Sequence, residues 1–442
     1  MAELRQLYDP LGFEQGVPLD LLDRLREERA VVWVAEDPLE HWPGGAGFWL
    51  VLRHAEVMQV LRNPRQFSSA LGATQLLNPS SQQNLRYVQK MMLNMDPPEH
   101  TRLRRLLQNS FTSKAIARLE ESIRGHARSI LDKITAGARR GDRGQCDFAQ
   151  DIAADMPLLS LTDILGMPKE DRYLMYDWAN RVIGFQDPEY ATSASFDASA
   201  GSDLAREAVR MRPTPDAQGR MPDPRSREGM PDLYRYAHLL AEEKRRSPGE
   251  DIMSILLAQV DEEDGSVSLQ EFENMFWLFS VAGNETVRNG IPGGMIALLQ
   301  HPEVMVELRS KPELIPAAVD EMLRWWTPVM IFRRTAAEDL ELAGEKIRVG
   351  DKVVVSFLAA NYDPAVFTQP RQFNIHRTEN PHLTFGYGPH FCLGAQLARA
   401  QMKAIFAETL RRFRTIKAAG EPTFLRSNFQ RGVKTLPIEW YA

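Results

Sequence analysis

The chain has 442 residues and two cysteines, and one of these stands where a thiol is chemically useful. FGYGPHFCLG, residues 385–394, places Cys392 between a glycine-rich turn and AQLARAQ, which reads as the opening of a helix. Such a turn offers backbone amides and the positive end of a helix dipole to an anionic sulfur. Cys146, in GQCDF, lacks that context and reads as an ordinary thiol.

A second chemical signal is AGNETVRN, residues 282–289, where Gly283, Asn284, Glu285 and Thr286 interrupt an apolar helical run. Burying a carboxyl group costs several kcal/mol unless it is paired, hydrated or neutralised. A mid-helix Thr286 can bond a preceding carbonyl and loosen the ladder. Two readings stand. One is a notch against which a small ligand sits, with Gly283 leaving room and with Glu285 and Thr286 passing protons. The other is a surface turn of a long helix, with Glu285 and Arg288 as a solvated i,i+3 pair. Further candidates are ordinary one by one. EMLR sets Glu321 and Arg324 on one helix face. EHTRLRRLL sets His100 and Arg104 at i,i+4; FRRTAAEDLEL carries Arg333 and Arg334; QFNIHR carries His376 and Arg377. Their joint occurrence in this order is the informative fact.

These residues need elements to hold them. Helical period is expected over residues 19–29, 100–111, 114–134, 232–246, 251–260 and 312–326. Strand character appears at residues 31–35, 48–52 and 352–357. The most distinct helix begins after Ser268, which with Glu271 forms a capping box, and continues to about Gln300. That helix is apolar around much of its circumference, as expected of one crossing a protein's interior. Pro292 with Gly293 and Gly294 is expected to weaken it and to kink the helix beside the distal groove. Residues 191–231 are rich in Ser, Pro, Gly, Arg and Asp and read as a long irregular connection, a mobile lid or disorder. The whole reads as mainly α with small β-sheets.

A hydrophobic share of 43% suffices for a large core, and a net charge of −6 gives no pull towards nucleic acid. Two cysteines form no disulfide framework, which suggests a reducing compartment. The start, MAELRQLYDP, does not read as a signal peptide, and no apolar run approaches a membrane span. A cytoplasmic protein without membrane anchor is expected.

With these residues in this order, the chain resembles a cytochrome P450, a haem-thiolate monooxygenase, over nearly its whole length. The strongest motif is FGYGPHFCLGAQLAR, and the others fall in the expected order and spacing. The resemblance implies one P450 domain over residues 1–442, with a long central helix, haem between helices and an extended lid connection at about 191–231. It implies heme b (iron protoporphyrin IX), with Cys392 as the iron's axial thiolate. His100, Arg104, Arg334 and His390 fall where the family places haem-propionate partners; Arg334 is preferred to Arg333 because it stands five residues before Asp339. Glu321, Arg324 and Arg377 match a buried charge network behind the haem. Glu285 and Thr286 match the acid–alcohol pair, Thr286 holding a proton-donating water and Glu285 helping deliver protons for O–O cleavage. The implied reaction is hydroxylation of a C–H bond with O2 and two electrons. No G-x-G-x-x-G follows a strand, so the electrons are expected from a separate ferredoxin and ferredoxin reductase. Arg102, Arg105, Lys114 and Arg399 are either their docking face or a generic solvated face.

For substrate, residues 71–93 match a pocket wall, with Leu76, Leu77, Met91 and Met92 as its apolar surface. Val329, Met330, Ile331 and Phe429 are the further lining candidates. The AGNET step and the LRS-x(4)-G turn look most like hydroxylases of steroid side chains, terpenoids and methyl-branched lipids. Three alternatives remain: oxidative coupling or cross-linking of an aromatic natural product on the same fold; a haem-binding sensor without turnover; and a metal-binding module using His376, His382, His390 and Cys392.

Overall fold

The computed structural model describes residues 3–40, 42–139, 141–261 and 266–442. Its axis is the helix Leu269–Gln300, 32 residues and about 48 Å long. The helix starts where the sequence places it. Glu271 N donates to Ser268 Oγ at 3.2 Å, and Ser268 N donates to Glu271 Oε2 at 2.8 Å. Reciprocal caps of this kind satisfy two otherwise unpaired donors.

Pro292 does not interrupt this helix, which is continuous through Gly293 and Gly294 to Gln300. A proline forfeits one ladder donor, and the surrounding packing offsets that loss. The glycines are there for their neighbours. A Cβ at residue 293 would lie 2.1 Å from Trp326 Cγ, and one at residue 294 would lie 2.8 Å from both Met322 Sδ and Phe406 Cζ. Trp326 and Met322 belong to the helix Ile315–Trp326, and Phe406 to Ala395–Arg412. The double glycine is thus a notch into which two helices pack, and Trp326 is buried there.

The minor sheet has five strands in the spatial order Val31–Val34, Phe48–Val51, Lys352–Ser356, Ile331–Ala336 and Phe67–Ser68. Phe48–Val51 and Lys352–Ser356 run parallel, and the other pairs are antiparallel. In the register, Arg334 faces Val353 and Arg333 faces Val354. Adjacent strand residues point to opposite faces, so the two arginines must part company.

Residues 191–231 are more built than their composition suggests. They include the short helices Ala198–Ala200 and Asp203–Val209, with turns and extended chain to residue 230. Two buried carboxylates anchor the segment. Asp171 accepts from Ser202 N and Oγ at 2.8 and 2.6 Å. Asp177 accepts from Ser193, Ser195, Phe196 and Arg212. Polar residues that read as solvated from sequence are here spent on buried acceptors. No described helix is long and apolar enough to cross a membrane.

Replacing Gly293 by Ala sets a helix-propensity gain of about 1 kcal/mol against overpacking of roughly 1–3 kcal/mol. The clash with Trp326 Cγ should win and lower the thermal midpoint. An unchanged or raised midpoint, read by circular dichroism, would show that Trp326 moves aside.

Candidate active site

The turn before the helix Ala395–Arg412 is closed by Cys392 N donating to Phe385 O at 2.8 Å. Gly386 and Gly388 hold φ of +71° and +70°, the left-handed region that glycine enters freely. At residue 388 a Cβ would also meet Leu61 O at 2.7 Å. The turn presents Cys392 to a cavity of about 240 Å³. Cys392 is exposed by area, yet that area is cavity wall, because the protein encloses the residue. Burial pushes its thiol up, while the Gly394 amide and then the Arg104 and Arg399 guanidinium groups pull it down. Cys146 has no such help: burial pushes its thiol up to about 12.

His100, Arg104, Arg334 and His390 line the same cavity. The helix Glu99–Leu107 supplies the first two, one turn apart. Strand alternation supplies the third: Arg333 donates to Asn78 Oδ1 at 2.5 Å on the other face. Arg334 is 3% exposed, and its Nη1 donates to Arg333 O at 2.9 Å. The imidazoles of His100 and His390 lie 4.1 Å apart, and His390 Nε2 is 3.3 Å from Ser69 Oγ. Burial lowers Arg334 to about 10 and lowers Arg104 as well. Burial and then Arg104 lower His100 to about 4; burial and then Arg334 hold His390 well below its ordinary value. His100 Nδ1 is buried without a partner. No described carboxylate lines this cavity. Two guanidinium groups and two imidazoles therefore converge on a space lined by no described carboxylate; Asp96 acts on Arg334 and His100 from outside the lining, where it accepts from Ser68 and Ser69, and a bound acid would offset the remaining desolvation cost.

EMLR lies inside the protein. Arg324 Nε and Nη2 donate to Glu321 Oε2 and Oε1 at 2.8 and 2.7 Å, and neither side chain is exposed. Arg377 Nε adds a bond to Glu321 Oε1 at 3.1 Å. The remaining Arg324 donors reach the carbonyls of Asn361, Pro370 and Gln372. The triad ties a helix to the chain leading into the Cys392 turn.

On the central helix, Thr286 Oγ1 donates to Ala282 O at 3.0 Å. Thr286 lines the Cys392 cavity and also a second, apolar cavity of about 110 Å³. Glu285 lines neither. It is fully buried and pairs with Arg288, and its Oε2 accepts from Asn289 Nδ2 at 3.1 Å. The i,i+3 pair foreseen as solvated is formed, but in the interior. The space at Gly283 is taken by a neighbouring side chain: a Cβ there would meet Leu161 Cδ2 at 2.7 Å.

Leu77, Met91, Val329 and Phe429 line the second cavity as expected, and Met92 lines the first. Leu76, Met330 and Ile331 do not; they pack in the core around the first strands. Phe332 lines both cavities and was not foreseen, although it lies two residues from Arg334 and alternation puts both on one face. Arg225, from the 191–231 segment, lines the second cavity, and no sequence period foretells it. Of the proposed docking cations, Arg105 and Lys114 are exposed. Arg102 is instead tied to Glu271 and the Ser266 carbonyl, and Arg399 donates to Asp320 at 2.7 Å. His376 pairs with Glu307 and His382 with Asp320, apart from Cys392; among the described residues no group of three or more His, Cys, Asp or Glu could hold a metal ion.

Comparison with known proteins agrees with this geometry. The family model "Cytochrome P450" matches residues 235–440. The Mycobacterium tuberculosis protein called cytochrome P450 126 is 35% identical, over 98% of this chain and 96% of its own length. The steroid C26-monooxygenase of Mycolicibacterium smegmatis is 34% identical, over 96% and 91%. A solved structure, Mycobacterium marinum cytochrome P450 CYP268A2 in complex with pseudoionone, superposes with a TM-score of 0.80 at 35% identity, covering 95% of this chain and 94% of that one. The chain belongs to the cytochrome P450 family and is an oxidoreductase, a monooxygenase.

The family implies a haem, and the residues fit one. A thiol on a constrained turn faces the cavity, and four donor side chains without an acid partner stand where a carboxylate-bearing ligand would complete them. Replacing Arg334 by Leu should therefore move two quantities in opposite directions. It removes an uncompensated buried cation, so the haem-free protein should melt higher. It also removes a charge-assisted partner worth about 1.5–3 kcal/mol, so haem should pass to a scavenging globin roughly ten- to a hundredfold faster. A fall in both retention and haem-free stability would mean that Arg334 acts through packing instead.

Proposed function

We propose that the chain hydroxylates a C–H bond of a lipophilic small molecule such as a steroid, terpenoid or branched lipid. In this reading its cofactor is heme b, ligated by Cys392, with His100, Arg104, Arg334 and His390 on the propionates. Bound haem supplies O2 activation and the C–H oxidation, and a thiolate ligand favours O–O cleavage by pushing electron density to iron. The remaining roles belong to the chain.

The observation that carries the reading is the place of Thr286, on the wall shared by the Cys392 cavity and the apolar cavity. Its hydroxyl proton is committed to Ala282 O, so its lone pairs are left to accept from a water. Thr286 orients that water as a proton donor between the two spaces. Glu285, one residue away, restores the proton by leaving Arg288 and turning towards Thr286. The apolar cavity receives the substrate, and its walls exclude bulk water from the reacting atoms. Leu77, Val88, Met91, Val329, Phe332 and Phe429 give it an apolar lining suited to a hydrocarbon body. Similarity to a steroid C26-monooxygenase and to a methyl-branched lipid omega-hydroxylase of Mycobacterium bovis, 34% identical over 95% of this chain and 92% of its own length, supports that substrate class. Electrons arrive from a separate ferredoxin, reduced by its reductase, which docks at Arg105 and Lys114.

Replacing Thr286 by Ala should lower product formed per electron pair by roughly tenfold and release hydrogen peroxide in its place. Product mass is the first measurement, since hydroxylation adds one oxygen and oxidative coupling removes hydrogens. Unchanged coupling in the variant would remove Thr286 from the mechanism. For the electron partner, the double charge reversal Arg105→Glu and Lys114→Glu should slow ferredoxin-dependent reduction and flatten its salt dependence. Reduction that keeps both its rate and its salt slope would exclude this docking face.

A further inference from the structure

Among the described residues that line the apolar cavity of about 110 Å³, Arg225 alone carries a charge. It is buried, with 9% of its area exposed. Its Nε and Nη2 donate to Asp223 Oδ1 and Oδ2 at 2.9 and 3.1 Å, and its Nη1 donates to Leu77 O at 3.1 Å. Asp223 Oδ1 also accepts from the Arg225 amide at 2.9 Å, so a tight turn fixes the pair. The guanidinium lies 5.2 Å from the ring centre of Phe185. Burial pushes the Asp223 carboxyl up, but the bonds and charge of Arg225 outweigh it and hold the group below its ordinary value. The pair is therefore formed, and neutral as a unit, before any ligand enters.

A guanidinium has five N–H bonds, and these contacts use three of them. One is left on each terminal nitrogen. Gln75 lines the same cavity two residues before Leu77, and its Oε1 is buried without a partner. Other polar side chains of this wall bond within the protein. Thr74 donates to Asn94, Asn94 donates to Val88 O, and Gln430 accepts from Asn289. Trp277 Nε1, on the central helix, is the other lining atom buried without a partner. Arg225 and Gln75 do not line the Cys392 cavity, whereas Thr286 lines both. Spare donors and an unmet acceptor thus stand on the part of the wall that belongs to the apolar cavity alone.

We propose that Arg225 and Gln75 are specificity-determining residues that read a neutral hydroxyl group on the lipophilic substrate. This rests on the reading of the apolar cavity as the substrate's space. A hydroxyl oxygen accepts from Arg225, and its proton goes to Gln75 Oε1, so one small group meets both needs. A carboxylate on the same N–H bonds would stand beside the Asp223 anion in apolar surroundings, where like charges repel strongly. An ether or ketone satisfies Arg225 and leaves Gln75 unmet. A plain hydrocarbon satisfies neither. Asp223 therefore does more than hold Arg225 in place: by neutralising it, Asp223 turns a carboxylate receptor into an alcohol receptor.

The test uses four probes on one branched body: farnesol, its methyl ether, the hydrocarbon farnesene and farnesoic acid. Each is titrated into the haem-loaded enzyme at neutral pH, and the dissociation constant is read from the shift of the haem Soret band. Farnesol should bind about fivefold tighter than its ether and about tenfold tighter than farnesene, with the acid weakest. Gln75→Leu should abolish the preference for alcohol over ether and leave the ether unchanged. Asp223→Asn should tighten farnesoic acid by about tenfold, because Arg225 is then free to meet its charge. The double variant Asp223→Asn with Arg225→Gln should bring alcohol and ether down to the level of farnesene. Ratios between probes are read because a purely structural tie between the segment and Leu77 would weaken all four alike. Ratios unchanged across the variants, farnesene or the ether binding as tightly as farnesol, or the acid matching farnesol in the unaltered enzyme would each overturn the proposal. Failure of all four probes to shift the band would overturn the reading of the apolar cavity as the substrate's space, and this proposal with it.

Discussion

Positive charge buried beside a cavity that no described carboxylate lines is the constraint on which this site depends. Several buried arginines elsewhere pair with acids, Arg324 with Glu321, Arg181 with Asp232 and Arg288 with Glu285, while Arg333 is held by Asn78. Around the Cys392 cavity, Arg334 receives a backbone carbonyl and Arg104 faces the thiol. The two adjacent imidazoles are kept neutral by burial and by those same guanidinium groups. Such an arrangement is unfavourable alone and favourable around a bound dicarboxylate, so cofactor affinity and fold stability become coupled. Burial still raises the Cys392 thiol, and the Gly394 amide with the Arg104 and Arg399 guanidinium groups offsets only part of that rise.

Holding these groups in place requires rigidity from elements that never touch the cavity. The Glu321–Arg324–Arg377 triad satisfies its charges internally and spends its spare donors on carbonyls of the loop that precedes the Cys392 turn. The central helix is fixed by its double glycine, which lets Trp326 and Met322 approach its backbone. Because Trp326 and Arg324 share one helix, the seating of the central helix and the placing of the turn are one packing problem.

What the sequence made legible was local chemistry and period. The capping box at Ser268, the span of the central helix and the turn at Cys392 follow from residues within a few positions of each other. That His100, Arg334 and His390 share one cavity was legible only through family resemblance, because they come from a helix, a strand and a turn far apart in sequence. Alternation along the strand could have added Phe332. It could not have rejected Met330 and Ile331, whose burial elsewhere depends on where that strand enters the sheet. The double glycine was misread as a weak point, since its reason lies in two helices that join it only through tertiary packing.

Residues 191–231 were the least legible, and the cause is physical. Their composition is that of a solvated chain, and composition is blind to where hydrogen bonds end. Asp171 and Asp177 lie before the segment, on elements with their own helical pattern, yet they collect its serines and Arg212 as partners. A buried carboxylate that accepts several bonds, as Asp177 does from Ser193, Ser195, Phe196 and Arg212, can order a polar segment, because each bond it loses leaves a charge desolvated and unmet. That is why a segment resembling linker in composition lies two side chains from Arg288, the ion-pair partner of the acid beside Thr286.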